Sequence, residues 1–255
     1  MEIMNIKKII FVLLITAPLF AQKNIALPAA SLPDTYLIEN PAYTVAFSGN
    51  YGIPIWEMHT LSTKVAPATA NDKEIWKTDN RVKGYRLTPK DFEDTKLELV
   101  QLFPKEHAGD NQEFRESSLL TSNLVFMNKL TKEMVWDKIT NSFQIIASRM
   151  KTAYLYAGPI FDKNQMKIKY VMNNKVAVPT YFFRIALYFD EGKPAYKCYR
   201  IPNRVPTDYE RSCNIDEYEY NIYQLEADTG IDFFERELDA NFRQDKLKFL
   251  EKQVR

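Results

Sequence analysis

The sequence is short of the residues on which most catalytic chemistry depends. Among 255 residues there are two cysteines, Cys198 and Cys213, and two histidines, His59 and His107. Two cysteines exclude a disulfide-dense scaffold and a cysteine-rich zinc site. Two histidines leave few candidates for imidazole-based acid–base chemistry. No charge of one sign dominates: 34 Lys and Arg face 33 Asp and Glu, for a net charge of +1. A protein whose work is gripping phosphate backbones usually carries a clear basic excess. No G-x-S-x-G, P-loop, H-E-x-x-H or C-x-x-C motif is present. Internal repeats and low-complexity tracts are also absent. Apart from one run near the N-terminus, no apolar stretch approaches the roughly 20 residues of a spanning helix.

That single run lies at the start. Lys7 and Lys8 precede Ile9 to Phe20, which ends at Ala21-Gln22. A basic n-region, a dozen apolar residues and a small terminal residue predict a cleavable secretory signal over 1–21, leaving a domain over 22–255. An uncleaved anchor is the alternative, and Met4 offers a second start. No cysteine flanks the cleavage region, which argues against a lipid anchor. Removal of 1–21 leaves 32 charges of each sign and no further transmembrane segment. Export to the periplasm or beyond implies an oxidising compartment. There Cys198 and Cys213 could close a loop worth about 3 kcal/mol, or remain two buried thiols.

Strand signals fall at Tyr43 to Ser48, Tyr51 to Leu61 with Pro54 at an edge or bulge, Ala153 to Ala157 ending at Gly158-Pro159, Val178 to Phe189, and Ala195 to Arg200. Val135, Ile139, Phe143 and Ile146 recur at helical spacing and predict a helix over 131–148, with Trp136 beside the stripe. Leu238, Phe242, Phe249 and Leu250 mark a second, C-terminal helix. Thr63 to Asp72 reads as a surface loop. Strands and helices without regular alternation imply an α+β single domain with a largely antiparallel central sheet and flanking helices.

Several segments then occur together in a familiar order. Tyr43 to Leu61 (YTVAFSGNYGIPIWEMHTL) carries a Pro-x-Trp strand pair. Glu116 to Asn123 (ESSLLTSN) is similar to T-F-x-L-S-N, and Tyr156 to Phe161 (YAGPIF) to V-T-G-P-x-F. Val178 to Ile185 (VPTYFFRI) is similar to V-P-T-H-F-F-K-V. Ile201-Pro202-Asn203 and Leu225 to Phe234 (LEADTGIDFF) complete the set. The chain thus resembles the DNA/RNA non-specific endonucleases, with their ββα-metal fold, over nearly all of 22–255.

The resemblance implies a general base, the histidine of D-R-G-H, and a divalent cation held by a downstream asparagine. Lys90-Asp91-Phe92 and Leu102-Phe103-Pro104 bracket that segment. In this register Glu98 stands at the aspartate, Leu99 at the arginine, Val100 at the glycine and Gln101 at the histidine. A glutamine amide cannot take a proton from water. Phe126-Met127 replaces the family's P-Q. The metal asparagine falls on Lys132, or on Glu133 if the loop is one residue longer. An ammonium there would repel a cation, whereas a carboxylate could still bind one.

His107, in Lys105 to Asn111 (KEHAGDN), is expected to be an exposed loop histidine and is the fallback base. His59 is expected to be a surface or satisfied core residue. Arg81, Lys83, Arg86 and Lys90 form a basic cluster beside Glu93 and Asp94. Asp208 to Glu219 is acidic but lacks the spacing of a calcium loop. Fifteen tyrosines and sixteen phenylalanines could stack bases or fill the core.

The expectation is a secreted or periplasmic pseudo-nuclease that needs no cofactor and binds a protein partner in the cell envelope. One alternative is an active, Mg-dependent endonuclease with a site rearranged around Glu98, Glu133 or His107. The other is a metal-free nucleic-acid-binding module.

Overall fold

The computed structural model describes residues 27–28, 34–62, 75–88, 91, 97–162, 167–173, 175–207 and 214–233. The signal expected over 1–21, the loop Thr63 to Asp72 and the C-terminal helix lie outside the described residues.

Six strands form the main antiparallel sheet: β1 (Thr35–Glu39), β2 (Tyr43–Ser48), β3 (Ile53–Ser62), β6 (Thr152–Ile160), β9 (Tyr181–Asp190) and β10 (Lys193–Pro202), in the order β1-β2-β3-β6-β9-β10. Two small ribbons accompany it, β4 (Glu98–Gln101) with β5 (Leu124–Met127) and β7 (Lys169–Val171) with β8 (Val176–Val178). The α+β architecture with an antiparallel sheet is as expected. A register shift between Ala46 and Phe47 pairs Phe47 with Pro54, so Pro54 sits beside a bulge, where a residue without an N–H does no harm.

The expected run Val178 to Phe189 is divided. Pro179-Thr180 separates β8 from β9, and Asn203 Nδ2 bonds the Pro179 carbonyl at 2.9 Å. Gly158-Pro159 does not end its strand, since β6 continues to Ile160. Glycine is required at 158 by close approach: a Cβ there would meet the Ile55 carbonyl at 2.4 Å.

After a short helix, α1 (Gln112–Ser118), the helical stripe forms as one continuous run. It starts as α2 (Lys129–Thr131), widens to a π turn at Lys132–Trp136 and proceeds as α3 (Asp137–Met150). Asn128 caps its start, accepting from Leu130 N at 3.0 Å. Val135, Ile139, Phe143 and Ala147 face the sheet, where they join Leu61, Ala153, Leu155 and Phe182 in one apolar cluster. The opposite face packs Trp56, Tyr156, Phe183 and Ile185 against Ile222, Tyr223 and Leu225 of α4 (Ile222–Thr229). Gly230 ends α4 in the left-handed conformation at φ 72°. Among the described residues no helix is long and apolar enough to cross a membrane.

Cys198 points into this second cluster and is a buried free thiol, not half of the expected Cys198–Cys213 bridge. Burial pushes its pKa far up. Cys213 lies outside the described residues.

Candidate functional site

β4, β5 and the helix that follows form a hairpin–helix unit. The ladder pairs Glu98 with Met127, Leu99 with Phe126, Val100 with Val125 and Gln101 with Leu124. Val100, Phe126 and Met127 are buried, so the segment expected to hold a catalytic motif contributes to packing.

The connection between the strands is closed by side-chain amides. Asn123 is fully buried. Its Oδ1 accepts from Phe103 N at 2.8 Å, while Nδ2 donates to Phe103 O at 3.0 Å and Ser118 O at 2.9 Å. Gln101 Nε2 donates to the same Ser118 carbonyl at 2.9 Å, and its Oε1 accepts from Lys105 N at 3.3 Å. The Gln101 amide, where the resemblance expects a general base, is therefore already engaged with backbone. Asn203 ties the unit to the sheet, donating to Phe126 O at 3.1 Å and accepting from Asn128 N at 2.8 Å.

A cleft of about 290 Å³ lies beside this unit, lined among others by Trp76, Gln101, Glu106, Lys132, Asp137 and Asn141. Leu99, Val100 and Pro104 complete one side. Lys132 Nζ reaches Asp137 Oδ2 at 2.9 Å and Oδ1 at 3.3 Å. Two carboxylates, Glu106 and Asp137, face one ammonium in the cleft, a poor electrostatic match for a phosphodiester. Beneath it the buried Arg184 donates to Thr140 Oγ1, and to Trp136 O at 3.4 Å. Its guanidinium lies over the Trp136 ring at 4.4 Å. Desolvation lowers the pKa of Arg184 to about 10, so it remains a cation at neutral pH.

The donor set does not fit a divalent cation. Lys132 brings a positive charge to the position where the resemblance expects a metal ligand, and Gln101 is held by backbone partners. Glu133 is half-exposed and pairs with Lys129 at 3.8 Å. Glu98 is exposed at the far end of β4. Among the described residues no group of three or more His, Cys, Asp or Glu could hold a metal ion. The acidic Asp208 to Glu219 stretch is described only from Asn214, and there Glu219 is engaged by Lys197.

His107 departs from its expected exposed position. It is only 4% exposed, in the 3-10 turn Lys105–Ala108, because the turn packs against β2 and β3. His107 Nδ1 and His59 Nε2 are 2.8 Å apart, and His59 Nδ1 meets Glu57 Oε1 at 2.8 Å. His59 is a core histidine, as expected, with the edge of its ring against Phe103. Burial drives these groups toward their neutral forms. Desolvation, aided by Arg184, lowers His59 to about 3. Desolvation also raises Glu57 well above the ordinary carboxylate range. Glu57 went unrecognised in the sequence, although the i, i+2 spacing of Glu57 and His59 on a strand puts both on one face.

The basic cluster is internally committed. Arg81 donates to both Asp79 oxygens, at 2.9 and 2.8 Å, and to Glu39 O at 2.7 Å. Desolvation alone would raise Asp79, but its hydrogen bonds from Arg81 and Ser122 hold its pKa below the ordinary value. Lys83 sits over the Tyr36 ring at 5.0 Å, and Arg86 Nε donates to Val82 O at 2.8 Å. Lys90, Glu93 and Asp94 lie outside the described residues. Many of the aromatic residues, among them Phe143, Phe182, Phe183 and Tyr156, fill the core instead of forming a stacking platform.

Comparison with known proteins bears on the chain as a whole. The family described as DNA/RNA non-specific endonuclease matches residues 22–240. Endonuclease G, mitochondrial, of Caenorhabditis elegans is 24% identical over 149 residues, covering 52% of this chain and 47% of that protein, so the match spans about half of its length. Nuclease C1 of Cunninghamella echinulata var. echinulata is 20% identical over 215 residues, covering 78% of this chain and 82% of that one. The solved EndoG/EndoGI complex, described as showing the mechanism of EndoG inhibition, superposes with a TM-score of 0.71 at 18% identity. It covers 78% of this chain and 86% of that one. The extent of the family match leads to one conclusion: this chain belongs to the DNA/RNA non-specific endonuclease family.

Proposed function

We propose that this chain is an inactive member of its family, exported from the cell, whose hairpin–helix cleft contacts a protein partner in the envelope. The observation that carries the reading is the state of Gln101. The residue in the general-base position is an amide bonded to Ser118 O and Lys105 N, with no proton affinity in the range of water activation. The Lys132–Asp137 ion pair at the metal position supports it, since an ammonium opposes cation binding. The burial of Phe126 and Met127 and the mixed polar and apolar cleft favour macromolecular contact over a wet ionic site. Pairing of His107 with His59 speaks against the rearranged-nuclease alternative, because the only fallback imidazole faces the core.

A photo-cross-linking amino acid at Asn141, on the cleft, tests this in native envelope fractions, with one at the exposed Lys193 on β10 as control. The proposal predicts a discrete protein adduct from 141 and none from 193. Adducts of equal yield at both positions, or none at 141, would reject it. Retention on DNA at low ionic strength, released by salt, would instead favour the nucleic-acid-binding reading.

A further inference from the structure

One buried cluster of ionisable side chains has no part in the cleft chemistry. Glu57, His59 and His107 are 0, 2 and 4% exposed and are joined in line by two contacts of 2.8 Å. Both ends of the line are unmatched: Glu57 Oε2 and His107 Nε2 are buried with no hydrogen-bond partner. Each of the two contacts holds one hydrogen. With all three groups neutral the hydrogens run toward His107: Glu57 donates to His59 Nδ1, His59 Nε2 donates to His107 Nδ1, and His107 Nε2 carries the unmatched N–H. Protonating His107 further while Glu57 and His59 retain their bond puts hydrogens on both sides of a contact or a second cation near Arg184. Either outcome is costly without water.

His107 is also the anchor of the turn Lys105–Ala108 on β3. The turn has no side-chain cap. Backbone bonds run from His107 N to Pro104 O at 2.9 Å, from Lys105 N to Gln101 Oε1 at 3.3 Å and from Asn111 N to Ala108 O at 3.3 Å, and Arg115 Nε donates to Gly109 O at 2.6 Å just beyond it. Two residues at this turn, Pro104 and Glu106, form a wall of the cleft. The ionisable groups facing the line come from each neighbouring element. Glu57 and His59 lie on β3, Arg184 on β9 and Tyr43 on β2; Lys105 and Glu106 lie on the turn itself, Arg115 on the helix 112–118 packed behind it, and Glu106 and Asp137 of α3 act on Arg184. Arg184 disfavours a cation on either imidazole.

We propose that His107 is a proton-released latch: neutral, it fastens the 104–108 turn to β3, and protonated, it lets the turn swing out and widen the cleft. The inference concerns the fold alone and stands even if the cleft contacts no protein.

Desolvation, then the neighbouring His59 and Arg184, hold His107 well below its ordinary value in the closed form. In the open form it returns to about 6.5. The closed form therefore binds fewer protons. Its advantage is complete above about 6.5 and declines as pH falls below that value. Glu57 and His59 remain together on β3, so opening takes up one proton. The open population should rise about tenfold per unit below 6.5, and roughly 30-fold between pH 7.5 and 5.0.

Hydrogen–deuterium exchange of the mature chain at those two pH values, corrected for intrinsic exchange rates, tests this. Peptides covering 103–110 should lose protection about 30-fold on acidification, while peptides within 139–147 change much less. In His107→Gln the loss at 103–110 should vanish. Unchanged protection at 103–110 in the wild type, or an equal loss in the variant, overturns the latch. Should the variant not fold, imidazole nitrogen spectra of the wild type decide. A His107 ring that titrates near 6.5 while 103–110 stays protected overturns it, and one neutral at pH 6.0 supports it.

Discussion

Replacing Asn123 with alanine should destabilise the hairpin–helix unit far more than any change at Gln101. Asn123 is completely buried and makes three hydrogen bonds, two to Phe103 and one to Ser118 O. In Asn123→Ala the Ser118 carbonyl keeps its bond from Gln101 Nε2. The Phe103 N–H and C=O keep nothing comparable, since Phe103 is only 1% exposed. Two buried polar groups left unpaired cost about 1–3 kcal/mol each, so the loss should be about 3 kcal/mol, or roughly 6–12 °C in Tm. Gln101→Ala removes bonds at a half-buried site where Ser118 O retains Asn123 and the bond lost by Lys105 N is a long one, at 3.3 Å. That change should cost about 1 kcal/mol or less. Thermal and urea unfolding of both variants at pH 7.5, followed by circular dichroism, measures the difference. A cost below about 1 kcal/mol for Asn123→Ala, or equal costs for the two, would refute the assignment of Asn123 as the clasp of this unit.

Other outcomes follow from the same packing. Gly158→Ala should lower stability by about 1–3 kcal/mol or more, because the new methyl meets the Ile55 carbonyl at 2.4 Å and the Phe183 ring at 2.7 Å; a neutral result in urea unfolding would show that β3 and β6 can separate there. Acid should weaken the fold: both imidazoles are held below their unfolded value of about 6.5, so their contribution is whole above 6.5 and falls below it. Glu57 works in the opposite sense, because its raised pKa favours the folded state as pH falls toward the ordinary carboxylate range. The net should be roughly 2 kcal/mol lost between pH 7 and 5 for one proton of difference, read by denaturant titrations, and a flat profile would contradict it. Cys198 should resist iodoacetamide in the native protein at pH 8 and react once unfolded, as peptide mass spectrometry would show; rapid native labelling would mean its pocket opens.

Regular periodicity made much of the fold legible. The 4-4-3 recurrence of Val135, Ile139, Phe143 and Ile146 located the long helix, and β-rich runs located β2, β6, β9 and β10. Glu98 to Gln101, aligned with D-R-G-H by the motif register, carried no strand signal, and the structure puts them on the first hairpin strand. β1 was missed because TYLIE is short and lies at the sheet edge. The extent of β6 was misread because Gly158 suits close strand packing as well as a turn. The Glu57–His59–His107 line was not legible, since its members come from a strand and a turn 48 residues apart. KEHAGDN has the composition of a solvated loop, and only the packing of Phe103 and Ala108 against β2 reveals that His107 is buried.

The central claim is that the residue at the general-base position of the hairpin–helix cleft, Gln101, cannot activate water. Single-turnover cleavage of plasmid DNA and of RNA by excess mature protein, with magnesium, manganese or calcium, measures this most directly. A positioned general base contributes about 10²–10⁴-fold in rate. The account predicts a rate no higher than that of Gln101→Ala and indistinguishable from protein-free controls. Metal-dependent cleavage lost in His107→Ala or Glu133→Ala would contradict it.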